Sequence, residues 1–444
     1  MQDLTAGKEW KRILRFALPM LLGNVFQQLY NIVDSIIVGN VLGKEALAAV
    51  GASFPIIFLL ISFIIGIASG TTILIAQYYG SRDIDQVKRA IDTLYIFLFF
   101  ASLFVTAIGL GINRSLFRLL SLPEELLPEA LKYLNVYVLG ILVFFGFNGT
   151  SAILRGLGDS KTPMYFLIIS TLTNIGLDML FIMVFGWGIE GAAWATVVSQ
   201  GGAFVTAVLY LNRTHRIIRF SIPKMRFHRQ IFWQGIRIGL PAGMQTIFFS
   251  LGMTFLMGIV NRFGTNVIAA YAAAVRLDSI ASLPAMNFGM ALSVFVGQNL
   301  GANKPERIKR GLVSTVMMSG TISVTVTLVM MLFGKNLMSI FTNDPEVIRI
   351  GREYLLIISA FYLVFSLMFS LNGVLRGAGD TLVPMFITLL SLWVIRIPAS
   401  IFLSNHIGET GIWWSAPLAW IIGLAASYIY YLSGKWKAKV VVKQ

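Results

Sequence analysis

No cysteine occurs among the 444 residues. Disulfides, Cys-ligated zinc and iron–sulfur clusters are excluded, and the redox compartment is left open. Charge is scarce as well. Asp, Glu, Lys and Arg make up 12% of the chain, against about 25% in soluble domains. Acids are the rarer sign, 20 against 35 Lys and Arg, for a net charge of +15. The three histidines are His215 and His228 in one polar stretch and His406 near the end of an apolar run, all read as solvated. No G-x-x-x-x-G-K-[ST] and no H-E-x-x-H is present, and no nucleophile–base constellation stands out. The sequence therefore points away from an enzyme and needs no cofactor.

What is abundant is apolar. Hydrophobic residues make up 57% of the chain, and its mean hydropathy is +0.78. This is the composition of an all-α polytopic membrane protein. The basic residues are dispersed between apolar runs, so the lipid bilayer explains them better than nucleic acid does. Lys8, Lys11, Arg12 and Arg15 imitate the start of a signal peptide. The apolar stretch behind them is too long and lacks a small-x-small cleavage site, so it reads as a retained first helix.

Segments long enough to span (~20 residues) fall near 13–38, 47–79, 88–112, 131–154, 163–186 and 189–211. Six more fall near 231–260, 267–298, 309–334, 351–375, 383–404 and 411–433. Twelve transmembrane helices are expected: an N-lobe over 1–211, a basic connector over 212–230, a C-lobe over 231–434 and a tail over 435–444. The halves repeat. LRGLGDSKTPM at 154 returns as LRGAGDTLVPM at 375, 221 residues later. Gln77 and Gly80 return as Gln298 and Gly301, and GKEALAA (43–49) as GTNVIAA (264–270), at the same offset. An even number of helices per repeat gives both halves one orientation. Most Lys and Arg fall on the face shared by the termini and the connector, so the positive-inside rule puts both termini in the cytoplasm.

The chemistry sits in two polar stripes. Asn24, Gln27, Asn31 and Asp34 recur at helix spacing in the first span, and Thr171, Asn174 and Asp178 in the fifth, with Thr196 early in the sixth. An acid in hydrocarbon costs roughly 2.5–3.5 kcal/mol on insertion scales, so such residues usually face a cavity and act there. Carboxylates in such surroundings exchange protons near neutrality; with an amide and a hydroxyl, the same oxygens suit a hard cation. A Na⁺ site at Asn174, Asp178 and Thr196 is therefore a second reading. The duplication adds a control, because Asp34 and Asp178 shifted by 221 become Phe255 and Ala399. The scaffold repeats; the acids do not.

Further candidates are weaker. Met20, Gln27, Asn31, Arg276 and Asp278 are candidates for a substrate cleft, and Pro19 and Pro241 either begin their helices or bend them. Arg276 and Asp278 are two apart on a helix and so poor mutual partners. For them and Arg396, pairing with an acid or with backbone is the reading preferred over a second cation-binding site. Gly66-x-x-x-Gly70 permits close helix contact.

VDSIIVGNVLG (33–43), both LRGxGD loops, GQNLGA (297–302) and NIGLDMLFIMVFGWGIEGAAWAT (174–196) resemble the multidrug and toxic compound extrusion (MATE) transporters. The resemblance covers essentially the whole chain. It implies two six-helix lobes around a cleft in a multi-pass protein of a bacterial or archaeal plasma membrane. It also implies export of small cationic amphipathic compounds against inward H⁺ or Na⁺ flow, by an expected monomer. By resemblance, Tyr30, Asp34, Asn148, Asn174, Asp178 and Thr196 form the N-lobe ion site. The chain departs from sodium-coupled members with acids in helices 7 and 10, since 231–260 and 351–375 hold only Glu353. The alternative is a flippase for a lipid-linked glycan or other lipid, as related superfamily members share the architecture.

Overall fold

The computed structural model describes residues 2–119, 122–214, 223 and 225–442. Residues 215–222 and 224 of the connector, with His215, Arg216, Arg219 and Lys224, lie outside the described residues. Among the described residues every regular element is helical. By length and composition nine of the described helices can cross a membrane, or eleven spans when two bent pairs each count as one. The first helix, α1 (Glu9–Ile37, 29 residues), is not among them. It is long enough, but Asn24, Gln27, Gln28, Asn31 and Asp34 lower its hydropathy.

Two compact units emerge, and they do not divide at the connector. One holds residues 1–2 and 22–243, the other 3–21 and 244–444. The boundaries fall inside α1 and inside α8 (Arg229–Val260), two residues beyond Pro19 and Pro241. Both prolines lie well inside continuous helices, so neither merely begins one.

The first unit contains the second part of α1, then α2 (Lys44–Gly80), α3 (Ile84–Leu119), α4 (Leu127–Leu139), α5 (Ile141–Gly156), α6 (Lys161–Asp178), α7 (Gly188–Thr214) and the first part of α8. The span expected at 131–154 is really α4 and α5, bent by 50° at Gly140. Glycine spacing fastens α2 to α8. A Cβ on Gly70 would meet the backbone of Gly239 and, at 2.8 Å, the carbonyl of Gly235, and one on Gly66 would meet that of Gly239 at 2.8 Å. The GxxxG expectation holds, with its partner in the matching Gly235, Gly239 and Gly243 row. Backbones this close gain dispersion contacts that lipid would not supply.

The second unit contains the start of α1 and the end of α8, then α9 (Thr265–Gly301), α10 (Pro305–Ser339), α11 (Pro345–Ser359), α12 (Tyr362–Gly377), α13 (Leu382–Leu389), α14 (Ile397–Ile407) and α15 (Glu409–Leu432). α11 and α12 repeat the bend of α4 and α5, at 48°. The core here gathers Leu256, Tyr271, Tyr354, Tyr362 and Trp413. The repeat motif around Gln298 holds the N-terminal segment. Leu4 N–H donates to Gln298 Oε1 at 3.1 Å, Asn299 donates to the Leu4 carbonyl at 3.2 Å, and Arg307 pairs with Glu9 at 3.1 Å.

The 221-residue offset extends to backbone conformation. Gly43 and Gly264 share φ 88° and 89° ahead of α2 and α9, and Gly158 and Gly379 share φ 83° and 92° in the LRGxGD loops. Arg82 and Asn303, at φ 62° and 54°, close α2 and α9 in left-handed geometry. The acid of the first LRGxGD loop is structural. Asp159 accepts from Thr162 N–H at 3.0 Å and Thr162 Oγ1 at 2.7 Å, tying down the start of α6.

Candidate functional site

Asp34 lies one turn before the end of α1, where the chain loosens into a π-helical turn over Val38–Leu42. Asp178 ends α6 and directly precedes a second π-helical turn over Met179–Val184. Such turns recur at functional sites. Here they put both acids within the first unit and within hydrogen-bonding reach of each other. Asp178 is fully buried, whereas Asp34 is half-buried. Two ionised carboxylates repel at this range, so the contact is stable only with a proton or another cation between them. No Lys or Arg side chain among the described residues contributes to the field at either acid.

Neutral polar groups complete the cluster. Tyr30 Oη and Thr196 Oγ1 are 3.1 Å apart, and Thr196 Oγ1 also donates to the Ala192 carbonyl. Asn174 and Thr196 are 1% and 7% exposed. With its amide oriented to satisfy both ends, Asn174 donates to Asp178 Oδ2 at 3.0 Å and accepts from Thr196 N–H at 3.1 Å. Asp178 Oδ1 receives no hydrogen bond from a donor group among the described residues. A buried carboxylate oxygen left open is the natural place for a proton or a cation.

Of the residues singled out in sequence, Tyr30, Asp34, Asn174, Asp178 and Thr196 come together. Asn148 does not join them by a hydrogen bond; its amide donates to the Phe144 carbonyl on its own helix. Gln27 and Asn31 are half-buried along α1, and Asn31 donates to Gln28 at 3.4 Å. Met20 is buried in the second unit. Two residues were missed. Tyr133 and Tyr137 on α4 lie within electrostatic reach of Asp34, and Tyr137 stacks on Phe144 at 4.4 Å. Their i, i+4 spacing in YLNVY was the available signal.

The second unit holds a cluster of different character. Asp278 on α9 accepts from Tyr362 Oη at 2.8 Å and Tyr354 Oη at 3.3 Å. Arg396 closes a third π-helical turn (Leu390–Arg396) and faces Asp278 electrostatically, without an ion pair within 4.0 Å. Arg276 is exposed and takes no part. Tyr354 stands 221 residues after Tyr133, so each repeat turns the same tyrosine toward an intramembrane acid.

A duplicated, multi-pass helical protein with acids inside its helices has the architecture of a membrane transporter. The particular family follows from two matches of its model, at residues 19–180 and 241–402, one per repeat. The chain belongs to the MatE family, the MATE transporters. It is 36% identical over 440 residues to the probable multidrug resistance protein YpnP of Bacillus subtilis, covering 98% of each chain. It is 31% identical to the probable multidrug resistance protein YoeA of the same organism, over 98% of this chain and 96% of that one. A solved multidrug resistance MATE family transporter of the MOP superfamily superposes with a TM-score of 0.91 at 24% identity, covering 98% of both chains. That likeness supports the fold.

Proposed function

We propose that this protein is a secondary active multidrug exporter that carries cationic amphipathic compounds outward by antiport with H⁺ or Na⁺. The observation that carries this reading is the Asp34–Asp178 contact, an acid pair with no Lys or Arg side chain among the described residues contributing to its field. Such a pair must be neutralised by something that arrives and leaves. A proton on either carboxylate does so, as does Na⁺ held by Asp178, Asn174 and Thr196 oxygens. Arrival of the ion removes the negative charge that a cationic drug favours, so the ion-loaded state disfavours bound drug. A ligand shifts such an equilibrium only through its differential affinity for the two states, so ion and drug must compete.

Pro19 and Pro241 remove a backbone donor inside α1 and α8 and serve as the bending points of these helices. Both termini and the connector face the cytoplasm, in line with the placement of Lys and Arg. A lipid flippase would call for cations facing a phosphate head group, and the first-unit site offers acids only. The test is drug efflux measured in everted vesicles while the proton and sodium gradients are collapsed separately. Loss of efflux on collapse of one gradient names the coupling ion. Efflux that survives collapse of both overturns antiport.

A further inference from the structure

Both bent spans are held at the bend by a threonine of a neighbouring helix. Thr106 Oγ1 on α3 donates to the Val138 carbonyl at 3.0 Å, and Thr327 Oγ1 on α10 donates to the Ser359 carbonyl at 2.6 Å. The two threonines are 221 residues apart, as are the two acceptors, which is the offset of the duplication. Val138 stands two residues before Gly140, where α4 and α5 part at 50°, and Ser359 ends α11, where α12 departs at 48°. The backbone ladder is interrupted at both places. Gly140 N–H turns back to the Tyr137 carbonyl at 3.0 Å and Val143 N–H to that of Gly140 at 3.0 Å, while Phe361 N–H reaches Ile358 at 3.1 Å. Carbonyls in the last turn of a helix lose their regular donor, and a hydroxyl from the next helix satisfies them in apolar surroundings. Close packing supports the bond in the first unit. A Cβ on Gly109, three residues after Thr106, would meet Val138 Cγ1 at 3.0 Å, so α3 approaches α4 at the bend itself. The second repeat has Met330 and Ser359 at the matching places, with the large and small members exchanged.

The bent helices carry the tyrosines that face the intramembrane acids. Asp278 accepts from Tyr354 on α11 and from Tyr362 on α12, one hydroxyl from each side of the bend. In the first unit Tyr133 and Tyr137 on α4 lie in the field of Asp34, and Tyr137 stacks across the bend on Phe144 of α5. A change of bend angle displaces these rings from the acids. We infer that Thr106 is a positioning residue for ion coupling: by capping the Val138 carbonyl it fixes the bend between α4 and α5, and with it the place of Tyr133 and Tyr137 beside the acid pair. Thr327 does the same for Tyr354 and Tyr362 at Asp278. The role in coupling rests on the antiport reading; the placement of the tyrosines does not.

The test uses the full chain, in lipid nanodiscs for spectroscopy and in everted vesicles for efflux. Thr106→Val keeps the shape of the side chain and removes the hydroxyl; Thr106→Ser keeps the hydroxyl. Fluorotyrosine incorporated at Tyr137 gives a fluorine resonance that reports the surroundings of the ring. Thr106→Val is expected to shift that resonance, with the maximal efflux rate and the thermal midpoint little altered. The ion concentration for half-maximal efflux should change at least about threefold, the factor that one interhelical hydrogen bond confers. Thr106→Ser retains the wild-type values of both. Thr327→Val leaves both in place and shifts instead the resonance of fluorotyrosine at Tyr354. An unmoved Tyr137 resonance in folded Thr106→Val protein overturns the proposal, as does an equal response to both threonine variants. A shifted resonance with an unchanged ion midpoint overturns the role in coupling. Should the valine variant fail to fold, Thr106→Ala repeats the comparison. Wild-type efflux that survives collapse of both gradients sinks the antiport reading instead, and the fluorine resonances then decide the positioning alone.

Discussion

The hydroxyls of Tyr30 and Thr196 meet at 3.1 Å although 166 residues separate them in the chain. This contact fixes α1 against α7 beside the acid pair. Tyr30→Phe keeps the ring and removes one hydrogen bond, worth about 0.5–1.5 kcal/mol. Efflux rate in everted vesicles is expected to fall a few-fold, without loss of expression. Unchanged efflux would show that the contact has no part in coupling.

Asp34 and Asp178 have no acidic counterpart at the matching positions of the second repeat. Asp34→Asn and Asp178→Asn are each expected to abolish gradient-driven efflux while leaving the thermal midpoint of the protein near that of the wild type. Phe255→Leu and Ala399→Ser, at the matching places of the second repeat, should leave most of the efflux intact. Comparable losses in all four variants would refute the division of labour.

Competition between proton and drug has a definite sign. Protonation of the pair removes negative charge, so the affinity of detergent-solubilised protein for a cationic drug should decrease from about pH 8 to about pH 5, a range that carboxylates in apolar surroundings can reach. Asp34→Asn should flatten that dependence. A flat wild-type profile combined with a drop in affinity on adding sodium would move the role to Na⁺ at Asn174, Asp178 and Thr196.

Close backbone approach makes the glycine rows intolerant of side chains. Gly70→Leu places a Cβ and three more carbons against Gly235 and Gly239, where overpacking costs about 1–3 kcal/mol or more. The thermal midpoint should fall clearly. Gly51→Leu, with nothing within 4 Å of its Cβ position, is the control and should change it little.

Orientation is checked by single-cysteine labelling, for which the cysteine-free chain is a ready background. A cysteine at Asn343, exposed between α10 and α11, should react with a membrane-impermeant maleimide added to intact cells. A cysteine at Ser433, exposed after α15, should not. The reverse pattern would invert the proposed topology.

Much of this architecture was legible before folding because hydrophobicity and duplication are local properties. Apolar length marked the spans, and the return of LRGxGD, Gln298 and Gly264 at one offset marked the repeat, which the paired φ values of Gly43 and Gly264 extend to the backbone. Asp34 and Asp178 were visible because a charge inside a greasy helix needs no neighbour to look out of place. The bends at Gly140 and near Phe361 were not visible. Their flanking helices are both apolar, and nothing in composition separates a broken span from a straight one. The unit boundaries inside α1 and α8 were equally hidden, since a continuous helix carries no local sign of which neighbours each half packs against.

The residue pattern alone thus settled a helical membrane protein, its duplication and the polar stripe of α1, for each rests on spacing along one chain segment. Tertiary packing settled the rest. It brought the two acids together, set Tyr133 and Tyr137 beside them, and held Arg396 apart from Asp278 with its Nε unpaired. Those relations depend on side chains from helices far apart in sequence, and on π-helical turns that rotate them. Distances of a few ångströms between such groups are encoded in no single stretch of the chain; they exist only once the helices are packed.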